Sequence, residues 1–336
     1  MSARPIERIS VIGAGAWGTA LAQTASSAGR KPMLWARHED VARAVNERHI
    51  NALLLPDIRL DAGIVATTDL QAAVLGADAV LLAVPAQALR AIASRLTPVL
   101  APGVAVVNCA KGIEAGTGKL LTEVIAETLP GHDAFVLSGP SFAGEVARGL
   151  PTAVTIAGHD AALGAALAKA LGNRSFRPYW SGDPLGVALG GAVKNVIAIA
   201  CGIVQGRKLG ASANAALMTR GLAEMMRLGR ALGAEAETLM GLAGLGDLAL
   251  TCNSPQSRNL ALGVALGEGR SLAQILAGKR SVVEGVFTAT ALMQMAARHG
   301  VDMPISAAVD AIINGSADID AAILALLARP LKPEGA

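Results

Sequence analysis

The chain has 336 residues, more than twice the roughly 150 expected of a single domain, so two domains with sizeable cores are expected. Its 29 Lys and Arg against 26 Asp and Glu leave a net charge of +3, too balanced for a chain that wraps nucleic acid or lies on acidic lipid. With 4 Phe, 3 Trp and 1 Tyr there is little surface on which unpaired bases could stack, and nucleic acid is excluded as a partner. A hydrophobic content of 52% and a mean hydropathy of +0.47 raise instead the question of a membrane.

In chain order, the first apolar segment leads directly into a glycine motif and lacks the cleavage site of a signal peptide, which points to a cytoplasmic protein. Up to about residue 185, β-rich runs alternate with Ala-rich helical stretches. The runs are residues 9–12, 32–36, 79–84, 104–109, 134–137, 152–156 and 175–179. Several are continuously apolar, as strands buried on both faces must be, and the helices between them supply the crossovers of a parallel sheet. Residues 1–187 are therefore expected to form an α/β, Rossmann-type doubly wound domain. After Asp183-Pro184 the strand signal stops, and residues 188–336 read as an all-α domain with helices such as 213–232 and 288–299. The stretch 186–204 is long enough to cross a bilayer. It carries Lys194 and Asn195 at its centre, however, which favours a buried helix over membrane insertion. The tail, 329–336, holds two prolines and a glycine and is expected to fray. Cys109, Cys201 and Cys252 are odd in number and far apart, and His38, His49, His132, His159 and His299 are scattered, so no metal or disulfide framework is expected.

The chemistry-bearing motifs fall at strand ends and helix starts. Gly13-Ala14-Gly15-Ala16-Trp17-Gly18 follows the first strand and opens an Ala-rich helix over 19–27. Glycines there serve the tight turn, the close approach of a pyrophosphate and helix-on-strand packing, with the helix N-terminus facing the anion. The second strand ends at Arg37-His38, where an NAD site usually places a carboxylate for the ribose 2′-hydroxyl. Arg37 suits a 2′-phosphate, so NADP(H) is favoured, with NAD(H) use left open; the alternative is that Glu39 or Asp40 takes the ribose. Other strand ends bring Lys111 and Ser141 to the ligand-binding edge of the sheet, unless they are a snorkelling lysine and a turn serine. Lys194, inside an apolar helix, is expected to have a depressed pKa useful for proton transfer, with Lys111 pushing the same way if near. The alternative is an ion pair to a carboxylate across the domain interface. A glycine-rich turn at 241–246 delivers Asp247 and Thr251, four apart and on one helical face. Ser254-Pro255 resembles a helix N-cap, putting Ser257, Arg258 and Asn259 in a first turn suited to a phosphate or carboxylate.

Set side by side, the motifs GAGAWGTALA, WAR, AVPAQ, AKGIE, LSGPSFAGEV, ALGGAVKNVIAIACGI, GLAGLGDLALTC, SRN and VVEGV closely resemble, in this order over about residues 9–290, bacterial NAD(P)-dependent glycerol-3-phosphate dehydrogenases. The resemblance implies a Rossmann-type domain followed by an all-α domain like the C-terminal domain of 6-phosphogluconate dehydrogenase. It implies that dihydroxyacetone phosphate is reduced to sn-glycerol 3-phosphate by hydride transfer from NAD(P)H, a step that supplies the glycerophospholipid backbone. By the same resemblance Lys194 is the proton donor and acceptor. Lys111, Ser141, Asp247, Ser257, Arg258 and Asn259 hold the phosphorylated substrate, Arg258 taking its phosphate. Gly13, Gly15, Ala16, Trp17, Gly18, Arg37, His38, Lys111, Gly139, Ala143, Arg258, Val282 and Glu284 line the cofactor, and Thr251 and Asn195 lie near the reacting centre. Ala16 departs from the pattern, since many members have Ser there; the hydroxyl contact to the pyrophosphate is lost and the backbone N–H remains. β-Hydroxyacid dehydrogenases and ketopantoate-type reductases join similar domains, and a non-catalytic dinucleotide sensor would bind NADPH yet turn over nothing, against which the candidate site lysines and the Arg258-Asn259 pair weigh. The former usually space their helix Lys and Asn apart, whereas Lys194 and Asn195 are adjacent. The oligomeric state is left open, a homodimer included.

Overall fold

The structure, a computed structural model, describes residues 5–277, 283–330 and 333. The chain forms two compact units. One comprises the chain through Ala110 with Leu121–Ala188, and the other Lys111–Leu120 with the chain from Leu189 onward.

Among the described residues the first unit is built on ten strands: β1 (Arg8–Ile12), β2 (Lys31–Trp35), β3 (Ile50–Asn51), β4 (Leu55–Arg59), β5 (Val65–Thr67), β6 (Ala79–Leu82), β7 (Ala105–Asn108), β8 (Ala134–Ser138), β9 (Thr152–Ala157) and β10 (Phe176–Ser181). Eight form one sheet in the order β10-β9-β8-β7-β6-β1-β2-β5, and β3 and β4 pair separately as a hairpin. Alternate residues of a strand feed two cores: Ala79 and Leu81 join one apolar cluster, Val80 and Leu82 the other. Burial on both faces is why these strands read as unbroken apolar runs. Strand order reverses beside β1, so the loop after β1 opens at the switch point where doubly wound sheets bind ligands.

Two features depart from the sequence expectation. The sheet is not wholly parallel, because β8 and β9 pair antiparallel, Ser138 facing Thr155. Residues 139–151 hold only the short helix Ala143–Ala147, so the chain re-enters the sheet at the end it left. The strands β3, β4 and β5 carry no run long enough to announce themselves.

The second unit is helical. The helix Pro184–Gly206, within which the two units divide, is the one helix among the described residues long and apolar enough to cross a bilayer, and its apolar window is entirely buried inside the protein. Its glycines admit neighbouring backbone. A Cβ on Gly202 would stand 2.8 Å from Gly263 Cα, and one on Gly206 would stand 2.9 Å from Gly267 Cα, both on the helix Arg258–Gly267. The N-cap of that helix is Ser257, whose hydroxyl accepts from Leu260 N–H at 3.2 Å. The expected cap, Ser254, instead ends the preceding helix Asp247–Asn253, so only Arg258 and Asn259 of the expected trio are helical. The tail expected to fray lies partly outside the described residues.

Glu224, buried on the helix Ala211–Leu232, supplies the missing cap of another helix, Pro304–Ile313. Its carboxylate accepts from Ile305 N–H at 2.5 Å, Ser306 N–H at 3.1 Å and the Ser306 hydroxyl at 2.8 Å. Burial pushes its pKa up, and these donors pull against that. Glu224→Ala leaves three donors unmatched in a dry site. It should lower stability by about 3 kcal/mol, read as a lower denaturant midpoint at unchanged m, with Glu224→Gln losing less. An unaltered midpoint for the alanine variant would show that the cap contributes nothing.

Candidate active site

The dinucleotide motif adopts the geometry its glycines suggest. Gly13 has a φ of +117°, and a Cβ there would lie 2.8 Å from the Ala83 carbonyl oxygen. A Cβ on Gly18 would fall on the Gly13 carbonyl oxygen, which keeps the helix Ala16–Ser27 tight against the strand. A Cβ on Gly15 would meet nothing within 4 Å, leaving open space where a pyrophosphate approaches. Gly15 is the N-cap and offers no side chain to the first turn, so the N–H groups at Ala16 and Trp17 face that opening as an anion receptor. The residues present therefore fit a dinucleotide.

Arg37 and His38 stand exposed just beyond β2. Glu39, the alternative ribose ligand, accepts a hydrogen bond from the Thr68 hydroxyl at 3.1 Å. Gly139 has a φ of +147° with Val154 Cα 2.9 Å from a would-be Cβ, and Ala143 opens a short helix. The Ser141 hydroxyl donates to the Gly139 carbonyl at 2.9 Å, a bond internal to its own turn. Val282 lies outside the described residues, and Glu284 begins the helix Glu284–Arg298.

In the second unit the apolar helix carries Lys194, 6% exposed, to Asp247, 1% exposed. Lys194 Nζ donates to Asp247 Oδ1 at 2.5 Å and to the Thr251 hydroxyl at 2.7 Å. Lys111 Nζ donates to the other carboxylate oxygen, Oδ2, at 2.5 Å. Thr251 sits one helical turn beyond Asp247, as the four-residue spacing implies, and its hydroxyl also lies 3.3 Å from Oδ1. Lys194 is thus ion-paired, to a carboxylate of its own unit and not to one across a domain interface, and a second cation shares its partner. Burial lowers the Lys194 pKa to about 8, the Lys111 charge acting with burial and the Asp247 charge against it. Burial alone would raise the Asp247 pKa, but the charges and hydrogen bonds of Lys111 and Lys194 outweigh it and hold the group below the usual carboxylate range.

Amides brace this cluster. Asn195 donates to the Lys111 carbonyl at 3.4 Å, and Asn259 donates to Asn195 Oδ1 at 2.8 Å while accepting from Gly285 N–H at 3.0 Å. Each polar end of the Asn259 side chain thus bonds a neighbouring helix, while Arg258 stands exposed on the first turn and Ser257 caps it. Further bonds involve residues outside the candidate set. Asn108 closes a ring with Ala110, giving to its carbonyl and taking from its N–H at 3.1 and 3.0 Å, just ahead of Lys111. Arg298 donates to the Thr117 carbonyl at 3.0 Å and so ties down the segment that begins at Lys111.

Comparison with known proteins identifies the family of the chain. The family model for the N-terminus of NAD-dependent glycerol-3-phosphate dehydrogenase matches residues 8–175, and the C-terminal model matches residues 183–324. The chain is 57% identical over 327 residues to a glycerol-3-phosphate dehydrogenase (NAD(P)+) of Parvibaculum lavamentivorans, covering 97% of this chain and 98% of that one. It is 56% identical over 330 residues to the enzyme of the same name from Rhodospirillum rubrum, covering 98% and 95%. A crystal structure of glycerol-3-phosphate dehydrogenase from Coxiella burnetii superposes with a TM-score of 0.92 at 38% identity, covering 96% of this chain and 99% of that one.

The shared carboxylate makes a prediction of opposite sign for its two neighbours. Lys111→Met removes a charge that lowers the Lys194 pKa, so Lys194 should titrate above about 8; Asp247→Asn removes the charge that raises it, so Lys194 should titrate below. NMR of the lysine side chains across pH reads both. Shifts of the same sign in the two variants would refute the shared-carboxylate account.

Proposed function

The chain belongs to the NAD-dependent glycerol-3-phosphate dehydrogenase family, and from that premise we propose that it reduces dihydroxyacetone phosphate to sn-glycerol 3-phosphate, and reverses the step, with NADP(H) favoured over NAD(H). The observation that carries the reading is the pairing of Lys194 with Asp247 and Thr251 in a buried site, because ketone reduction needs a proton delivered where charge develops. The bound cofactor supplies a hydride, two electrons, to C2 of the ketone.

Lys194, charged, hydrogen-bonds the C2 oxygen and gives it a proton as the alkoxide forms, and the neutral amine is then reprotonated from solvent. In the oxidation direction the neutral amine takes the C2 hydroxyl proton. Asp247 holds both lysines in place, and Thr251 fixes the direction of the Lys194 ammonium. Lys111 adds positive charge beside the developing oxyanion. The N-terminus of the helix Arg258–Gly267, with Ser257 and the exposed Arg258, receives the substrate phosphate, so binding energy remote from the reaction orients C2. Asn259 acts by bracing Asn195 and the helix Glu284–Arg298. Ser141, whose hydroxyl is turned onto Gly139, shapes its own turn.

Lys194→Ala should cut turnover with dihydroxyacetone phosphate by about 100-fold or more, the range of a lost general acid, in an NADPH oxidation assay that also includes pantoate precursors and 3-oxoacids. Faster turnover of either of these by the unaltered protein would displace the assignment. For pH, reduction requires the charged lysine, so its rate should fall as pH rises through about 8, while oxidation should rise through the same value. Arg37→Ala should weaken NADPH by about 10-fold relative to NADH, through loss of a charge-assisted contact to the 2′-phosphate. Equal effects on both cofactors would remove Arg37 from that role.

A further inference from the structure

The hairpin β3–β4 is absent from the motif set, yet it reaches the dinucleotide loop. The helix Glu39–Arg48 ends at His49 in the left-handed region, φ +53°, an uncommon conformation for a residue other than glycine, and the chain turns there into Ile50–Asn51. Leu55 and Ile58 of β4 anchor the hairpin in the apolar core. Asn51, 1% exposed, points its amide into the glycine loop. Its Nδ2 donates to the Ala14 carbonyl at 3.0 Å and to the Thr19 hydroxyl at 2.9 Å. A carbonyl can only accept, so the NH2 end must be the one facing Ala14. The other end, Oδ1, is buried with no hydrogen-bond partner among the described residues.

We infer that Asn51 is a positioning residue for the cofactor pyrophosphate, acting through the Ala14–Gly15 peptide. The peptide is trans, so its carbonyl and its N–H point in opposite directions. With the carbonyl held by Asn51, the Gly15 N–H is turned away from the hairpin, on the loop that Gly15 leaves open. Thr19, one turn into the helix and bonded through its own N–H to the Gly15 carbonyl at 2.9 Å, is caught by the same amide, so loop and helix N-terminus move as one body. Ala16 lacks the hydroxyl that could otherwise hold a phosphate oxygen, which leaves this loop dependent on its backbone N–H groups and on whatever aims them.

The inference rests on the dinucleotide reading of the glycine loop and on no part of the reduction chemistry. Its test is calorimetric binding of 2′-phospho-ADP-ribose, which contains the pyrophosphate, and of 2′-AMP, which does not. Binding of the first by the unaltered protein tests the dinucleotide reading, and the ratio of variant to unaltered protein tests Asn51. Asn51→Ala should raise the Kd for 2′-phospho-ADP-ribose about tenfold, a change of about 1.4 kcal/mol, while 2′-AMP stays within twofold. In turnover, KM for NADPH should rise while KM for dihydroxyacetone phosphate holds. Equal weakening of both nucleotides, or no weakening of either, overturns the proposal. If Asn51→Ala does not fold, Thr19→Val carries the test. That change removes only the hydroxyl that steers the amide, so selective weakening of the pyrophosphate ligand supports the role and an unaltered Kd overturns it.

Discussion

Two ammonium groups share one carboxylate in the second unit, and the proton affinity of Lys194 follows from that ratio. A buried lysine alone would shed its proton, and a buried lysine with a private carboxylate would keep it far above neutral pH. Asp247 offers Oδ1 to Lys194 and Oδ2 to Lys111, so neither lysine has the full charge to itself. Burial and the second cation then outweigh the pairing, and Lys194 settles at about 8, where it can both give and take a proton. Asp247 remains ionised because two cations hold it so, and it serves as a fixed negative post and not as an acid.

Much of this was legible in the sequence, for identifiable reasons. Lys194 stood out because a charge in the middle of an apolar helix must be compensated, and Asp247 and Thr251 because four residues make one helical turn. The glycine motif was legible because each glycine answers a separate steric demand, two at close contacts and one at an open side. The pairing direction of β9 was not legible, since a strand's residue pattern records its burial and says nothing of which way its neighbour runs. The helix cap was misplaced because Ser254 and Ser257 are both competent acceptors, and only the fold decides which one the chain's path leaves three residues ahead of an unmatched N–H.

The grouping of Lys111–Leu120 with the helical unit was equally hidden. In sequence, Lys111 follows β7 and reads as a strand-end residue. What carries it away is a set of long-range bonds, from Asn195 to its carbonyl, from its own ammonium to Asp247, and from Arg298 to Thr117. None of these has a local signature. Asn51 is the corresponding case in the first unit: a two-residue strand is too short to show alternation, and its partner is a backbone carbonyl that every residue possesses.

The composition that first suggested a bilayer has a different physical meaning. The helical unit packs by bringing backbones together at glycines. Gly190 lies where a Cβ would be 2.7 Å from the Ala243 carbonyl oxygen, and Gly202 and Gly206 face Gly263 and Gly267. Bulky side chains between helices can repack around a shifted axis, but helices in backbone contact at spaced glycines have one register, because a slide in either direction drives a Cβ into main chain. Lys194 rides on one of these helices, and Ser257 and Arg258 begin the other. The separation between Lys194 and the helix start at Ser257 and Arg258 is thus set by main-chain contact. A proton affinity tuned by two oxygens at 2.5 Å depends on such rigidity, since each tenth of an ångström at that range alters the balance of charges on which it rests.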